Sequence, residues 1–330
     1  MRYARSEAKS WVRKNLRGYI AVTTTPFTER GDIDEEGLRR NVDHILALPG
    51  VNGLYLSSIY QEFWTMTTPE RKRVAEIVIE STAGRVPVIV GTSHTSVRDG
   101  LDLAKHAQAS GADLIMVWPP YYGPRTDDGM RAFYEYVSER VDIGICIYST
   151  TLAELGYFLT PELVARLAEI DNICAVKEAS LNLNGYSAMM ERVGHILPVS
   201  CPLEEYHLYG LVTFGPKVVP HFLLGSSRPL YMQNKEHPYC AEFFQAVERG
   251  DYDGARESLR FILKISQRLH SRYLTKGGHN VALTKYITGL FGMAAGPVRP
   301  PLSAPSQEEI DEAIAVLTDA QLLPKAATRP

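Results

Sequence analysis

Eight short apolar runs recur along the chain with helical-period stretches between them, and this alternation constrains the fold more than any other feature. The runs are GYIAVTTTPF (18–27), NGLYLSS (52–58), VPVIVGTS (86–93) and DLIMVWPP (113–120), followed by IGICIYS (143–149), ICAVKEAS (173–180), LPVSCP (197–202) and KVVPHFLLGSS (217–227). Amphipathic stretches such as DEEGLRRNVDHILAL (34–48), SVRDGLDLAKHAQASG (96–111) and TPELVARLAEI (160–170) lie between them. The last opens on Thr-Pro-Glu, suited to the N-cap and first turn of a helix. Strands that are apolar nearly throughout are buried on both faces, as in a parallel sheet covered by helices. Eight strand–helix units predict an α/β fold, a (β/α)8 TIM barrel. A doubly wound open sheet is the alternative, but the first strand leads into TTTPFTERGD (23–32) and not a GxGxxG turn.

After about residue 230 the strand pattern stops, and AEFFQAVERGDYDGARESLRFILKISQRLHSRYL and VALTKYITGLFGM have helical spacing. The expected division is an N-terminal helical extension (1–17), a barrel (18–230) and a C-terminal helical appendage (231–330), with only the final PKAATRP loose. In MRYARSEAKSWVRKNLRG the apolar core of a secretory signal is missing. A helix packing Trp11 and Val12 on the domain is the first reading of this stretch, and an organellar transit peptide is the second.

The formal net charge is −3, which gives no general attraction to nucleic acid or an anionic membrane. No apolar run approaches the roughly 18 residues of a membrane span. Cys146, Cys174, Cys201 and Cys240 show neither CxxC spacing nor a histidine cluster, so no metal site is expected. The first three lie in or beside apolar runs and read as small core residues of a protein kept in a reducing cytoplasm.

A barrel sorts the lysines, because residues at the C-terminal ends of its strands face the active site. Lys177 follows Ile173–Val176 at such an end, whereas Lys217 precedes Val218 and Val219 and falls at the opposite mouth. Lys72, Lys105 and Lys264 occupy helical stretches. Lys177 is therefore placed for Schiff-base chemistry, where desolvation lowers the amine's pKa and frees it to attack a carbonyl. A buried salt bridge with Glu178 or another barrel carboxylate is the competing reading. Tyr148 ends the neighbouring strand, as a proton shuttle or as an aromatic that closes the barrel top. Tyr121 and Tyr122 project onto a loop after Pro119 and Pro120, a position also common in interfaces. The loop SSIYQEFWTM (57–66) mixes Ser58, Gln61 and Glu62 with Tyr60, Phe63 and Trp64, giving either an aromatic-walled pocket or a packing loop.

These residues resemble the class I aldolase superfamily of dihydrodipicolinate synthase and N-acetylneuraminate lyase over roughly 18–323. The motifs are TPF (25–27), GRVPVIVGTS (84–93), LAKHAQASGADLIMVWPPYYGP (103–124), YST at strand five, VKEAS at strand six and GPVRPPLSAPSQEEIDEA near the end. The resemblance implies that Lys177 forms a Schiff base with a 2-keto acid and that Tyr148 relays protons. It also implies that Tyr122 reaches a neighbouring subunit's site in a homotetramer, and that no metal or organic cofactor is needed. The substrate-binding set it implies is Ser58, Ile59, Tyr60, Gln61, Glu62, His94, Leu224 and Asn280.

Two departures qualify the resemblance. The family's Gly-Thr-Thr-Gly-Glu loop is replaced by Ser58-Ile59-Tyr60-Gln61-Glu62, so a carboxylate must be held differently, by Ser58, backbone N–H groups and Tyr60. The synthase's arginine after the strand-five tyrosine is missing from YSTTLAELGYF (148–158), so lysine biosynthesis is not expected. The nearest-looking branch is the hydratase-aldolases of aromatic degradation, in which Asn280 would position water or an aryl substituent. The first expectation is therefore a lyase that cleaves a substituted 2-keto acid, by retro-aldol or hydratase-aldolase chemistry, into pyruvate and an aromatic or apolar aldehyde. A 2-keto-3-deoxy sugar-acid dehydratase or aldolase using Ser58, Gln61, His94 and Ser226 is the second. A non-catalytic sensor or scaffold on the same fold is the third.

Overall fold

The computed structural model describes residues 2–123, 125–151, 158–274 and 279–324. Every apolar run contains a strand: β1 (Gly18–Val22), β2 (Val51–Leu56), β3 (Val88–Gly91), β4 (Leu114–Val117), β5 (Gly144–Thr150), β6 (Ile173–Ala179), β7 (Val199–Ser200) and β8 (Phe222–Ser226). Apart from Asn52, each strand residue is buried, as strands covered on both faces must be. All the ladders are parallel, in the order β7-β6-β5-β4-β3-β2-β1-β8. No backbone ladder joins the described residues of β7 and β8. A side chain bridges that seam instead: Ser200 Oγ donates to the Phe222 carbonyl (3.0 Å) and accepts from the Leu224 N–H (2.9 Å). The result is a nearly closed (β/α)8 barrel.

The helices form where the spacing places them. Helix Glu35–Leu46 is capped by Asp34, and Val97–Ala109 by Ser96, which accepts from the Asp99 N–H. Helix Pro161–Leu167 starts at Thr160, whose side chain accepts from the Leu163 N–H, with Pro161 in the first turn.

The N-terminal segment closes the mouth opposite the strand C-termini. Helix Ala8–Asn15 buries Trp11 and Val12 as expected, with the Trp11 ring 4.9 Å from that of Tyr3. The Tyr3 hydroxyl donates to the Asp113 carbonyl (2.5 Å) and accepts from the Gly144 N–H (3.0 Å), tying the chain to the starts of β4 and β5. Beyond β8, helices Tyr239–Glu248, Tyr252–Ser266, Val281–Leu290 and Gln307–Asp319 pack on the barrel, sharing one hydrophobic core with it. Phe244, for example, lies 5.2 Å from the Tyr19 ring. A π-helical turn, Gln267–Ser271, follows the second of these helices. Residues 325–330 of the expected loose tail lie outside the described residues. The four cysteines are free and buried. Among the described residues no helix is long and apolar enough to cross a membrane, and no cluster of three or more His, Cys, Asp or Glu residues could hold a metal ion.

Candidate active site

The sheet register puts Lys177 and Tyr148 side by side: they are Cα partners across β5 and β6, and Lys177 pairs with Ser200 on the other side. Strand alternation points both side chains into the barrel and Glu178 to the outer face. Lys177 is 6% exposed, and its Nζ lies 4.8 Å from the Tyr148 ring centroid and 5.1 Å from that of Tyr55. Burial lowers its pKa to about 7, and no described carboxylate counteracts this. The salt bridge with Glu178 therefore does not form. Glu178 accepts instead from the Ser180 N–H (3.1 Å), and burial raises its own carboxyl to a pKa of about 7. An amine that is about half neutral at pH 7 beside a phenol can attack a carbonyl and exchange protons there.

Aromatic side chains build the wall behind the amine. Trp118 Nε1 donates to the Tyr55 hydroxyl (3.1 Å), and the Trp118 ring lies 4.8 Å from that of Tyr148. Gly225, at φ +80°, lets β8 pass directly against the lysine tip. The narrow cavity, about 40 Å³, is completed by Ser58, Ile59, Tyr60, Ser226, Ser227 and two imidazoles, His270 and His279.

The expected substrate-binding residues separate into groups. Ser58, Ile59 and Tyr60 line the Lys177 cavity. Gln61 and Glu62 are buried struts beneath it: Gln61 Oε1 accepts from the Ser57 N–H, while Glu62 pairs with Lys285 Nζ (2.8 Å) and accepts from the Arg299 N–H (3.0 Å). His94 accepts from the Ser96 N–H (3.0 Å) and lies in a second cavity of about 520 Å³ with Phe63, Trp64, Arg71 and Tyr121. Leu224 and Asn280 are buried but do not line the Lys177 cavity. Asn280 donates from Nδ2 to the Leu269 carbonyl and so supports the π-turn. Tyr122 is 90% exposed and lies apart from this chain's own cavity. Residues 152–157, in the stretch that lacks the arginine, lie outside the described residues.

The sequence reading missed Tyr55, Trp118, Gly225, Ser227, His270 and His279. Inward alternation in a strand predicts a wall position, which was a usable signal for Tyr55. The π-turn that carries His270 has no such signal, because its spacing departs from the helical period on either side.

A sequence model of the dihydrodipicolinate synthetase family matches residues 15–320. The 4-hydroxy-tetrahydrodipicolinate synthase of Methanothrix thermoacetophila is 31% identical over 92% of this chain and 96% of its own length. That of Methanopyrus kandleri is 32% identical over 87% and 90%. Among solved structures, the Escherichia coli K12 prophage protein YagE, in complex with pyruvate, superposes with a TM-score of 0.80 at 26% identity, over 93% of this chain and 99% of YagE. The N-acetylneuraminate lyase of Proteus mirabilis shares the fold, with a TM-score of 0.79 at 22% identity over 94% and 100%. The chain belongs to the dihydrodipicolinate synthetase family and is a class I aldolase-type enzyme.

Proposed function

We propose that the chain is a lyase that forms a Schiff base between Lys177 and a 2-keto acid and breaks the carbon–carbon bond beyond it, releasing pyruvate and an aldehyde. The observation that carries this reading is the buried Lys177 amine, lowered to a pKa of about 7 and in register with Tyr148. The iminium withdraws electrons from the bond to be broken, and Tyr148 moves the protons that carbinolamine formation and cleavage require. Pyruvate bound to the related YagE supports the donor half of this reading. The stretch from Tyr148 to Phe158 holds no arginine, which argues against the aldehyde carboxylate of the synthase reaction. Tyr122, exposed in one chain, is proposed to act across a subunit contact in a homotetramer.

The aromatic hint from the strand-two loop is weakened by position, since Phe63 and Trp64 line the second cavity and not that of Lys177. Of the strand-two loop aromatics only Tyr60 lines that cavity, so a hydratase-aldolase acting on an aryl substrate rests on Tyr60 with the wall of Tyr55, Trp118 and Tyr148. Dehydration of a 2-keto-3-deoxy sugar acid is the second reading, and the hydroxyls of Ser58, Ser226 and Ser227 along the cavity favour it. Borohydride reduction in the presence of pyruvate, followed by peptide mapping, tests the shared step. A reduced pyruvyl adduct on Lys177 is expected, and its absence with every 2-keto acid would overturn the reading. Product analysis then separates pyruvate plus aldehyde from a dehydrated keto acid with its carbon skeleton intact.

A further inference from the structure

The C-terminal helices do more than cover the barrel. After helix Tyr252–Ser266, the π-turn Gln267–Ser271 carries His270 into the wall of the Lys177 cavity. The turn is clamped at several points. Ser266 Oγ lies 3.0 Å from Ser271 Oγ and accepts from Arg228 Nη2 (2.9 Å), and Asn280 holds the Leu269 carbonyl. His270 is 6% exposed, and its Nε2 lies 3.0 Å from the Tyr60 hydroxyl. Burial and the nearby Arg228 charge hold its pKa well below the usual imidazole range, so the ring is neutral.

A neutral imidazole has one donor nitrogen and one acceptor nitrogen. Tyr60 takes Nε2, and Nδ1 is buried without a partner among the described residues; Ser58 Oγ, on the same cavity, is unpartnered among them as well. Whichever tautomer is present, Nδ1 needs a complementary group, and a hydroxyl fits either because it both donates and accepts. Among the described lining residues there is no carboxylate and no arginine, and the amine of Lys177 is taken by the Schiff base. A second anionic group on the substrate would find no counter-ion among these described residues, and a purely apolar chain would leave His270 Nδ1 unsatisfied.

We propose that His270 is a specificity-determining residue that receives a hydroxyl oxygen on the part of the substrate beyond its 2-keto acid. The aldehyde half is accordingly neutral and hydroxylated. This inference rests on the Schiff-base reading above and adds which substrates that site selects.

The test uses the full chain in the condensation direction, with pyruvate and either glyceraldehyde or propanal, two neutral three-carbon aldehydes that differ in their hydroxyls. A site built to hydrogen-bond a hydroxyl rejects the analogue lacking it. Wild type is expected to favour glyceraldehyde at least tenfold in kcat/KM. His270→Phe is expected to lower that ratio at least tenfold, and His270→Asn, which restores a neutral polar group, to recover part of it. If His270→Phe does not fold, His270→Ala carries the same comparison. A wild-type ratio near one, a ratio unchanged within twofold in the variants, or turnover of neither aldehyde by a wild type that pyruvate traps at Lys177 overturns the inference. Failure of pyruvate to trap Lys177 is a separate result; it overturns the Schiff-base reading and this inference with it.

Discussion

A Cβ on Gly225 would lie 2.5 Å from Lys177 Nζ and 3.0 Å from the Tyr55 ring, so glycine on β8 is what leaves the amine its place. Gly225 also sits at φ +80°, which an L side chain adopts only with strain. The lysine tip can move aside more readily than the strands, so Gly225→Ala is expected to injure chemistry more than folding. We expect pyruvate trapping by borohydride to slow at least tenfold while stability falls by about 1–2 kcal/mol. Equal trapping rates in variant and wild type would show that the amine tolerates displacement.

The lowered pKa of Lys177 has two consequences with defined signs. The neutral amine attacks, so the rate of Schiff-base formation is expected to rise with pH and level off above about 7. For stability, between about pH 7 and the ordinary lysine pKa the unfolded chain holds a proton that the native state lacks, so stability rises with pH through that window. The cost of the buried amine is fully present below about pH 7. Denaturant titrations of Lys177→Met are expected to show higher stability than wild type at pH 6 and to lose this part of the rise. Parallel curves for the two proteins from pH 6 to 10 would contradict it.

Glu178 titrates with the opposite sign. Burial raises its pKa to about 7, so between the ordinary carboxyl range and that value the unfolded chain ionises a group that the native state keeps protonated. Its contribution to stability therefore declines as pH rises through that window. Among the described residues Glu178 Oε2 is also buried without a partner. Glu178→Gln is expected to raise stability by roughly 1–3 kcal/mol at pH 8 and to have little effect near pH 4, measured by urea unfolding. A destabilised variant at pH 8 would point to an ionised, paired Glu178.

The barrel was legible because uninterrupted apolar runs are a direct physical consequence of strands buried on both faces. The position of Lys177 followed from the same logic, since the end of an apolar strand is the mouth of a parallel barrel. Gln61 and Glu62 were harder to read. They sit in the loop that faces the site, yet their partners, Ser57, Lys285 and Arg299, turn them into supports, and those pairings span up to 237 positions. His94 and Trp64 follow the right strands but open into a different cavity. His270 was invisible for another reason: one π-turn shifts the helix phase, so the face read from a 3.6-residue period is not the face presented.

The β7–β8 seam gives a purely structural prediction. Ser200 supplies two hydrogen bonds where a backbone ladder is missing, and it is buried next to Lys177 in the register. Ser200→Ala leaves the Phe222 carbonyl and the Leu224 N–H without that partner. The expected loss is roughly 1–3 kcal/mol by chemical denaturation. A loss below about 0.3 kcal/mol would mean that the seam closes without it.

Tyr148 offers the sharpest separation of chemistry from packing. It is 2% exposed against Trp118 and pairs in register with Lys177, so Tyr148→Phe keeps the ring and removes only the hydroxyl. If that hydroxyl moves protons at the iminium, the variant should lose about 10²–10⁴ in kcat, with a much smaller change in the pyruvate KM. The same step can be followed without knowing the aldehyde. Enamine formation exchanges the methyl protons of pyruvate with solvent, so the disappearance of the methyl proton signal in D2O reports iminium formation and proton transfer without the carbon–carbon step. Exchange is expected to slow in parallel with turnover, while borohydride still captures an adduct on Lys177. If exchange and turnover both stay within about fivefold of wild type, Tyr148 belongs to the aromatic wall with Trp118 and Tyr55, and another group carries the proton.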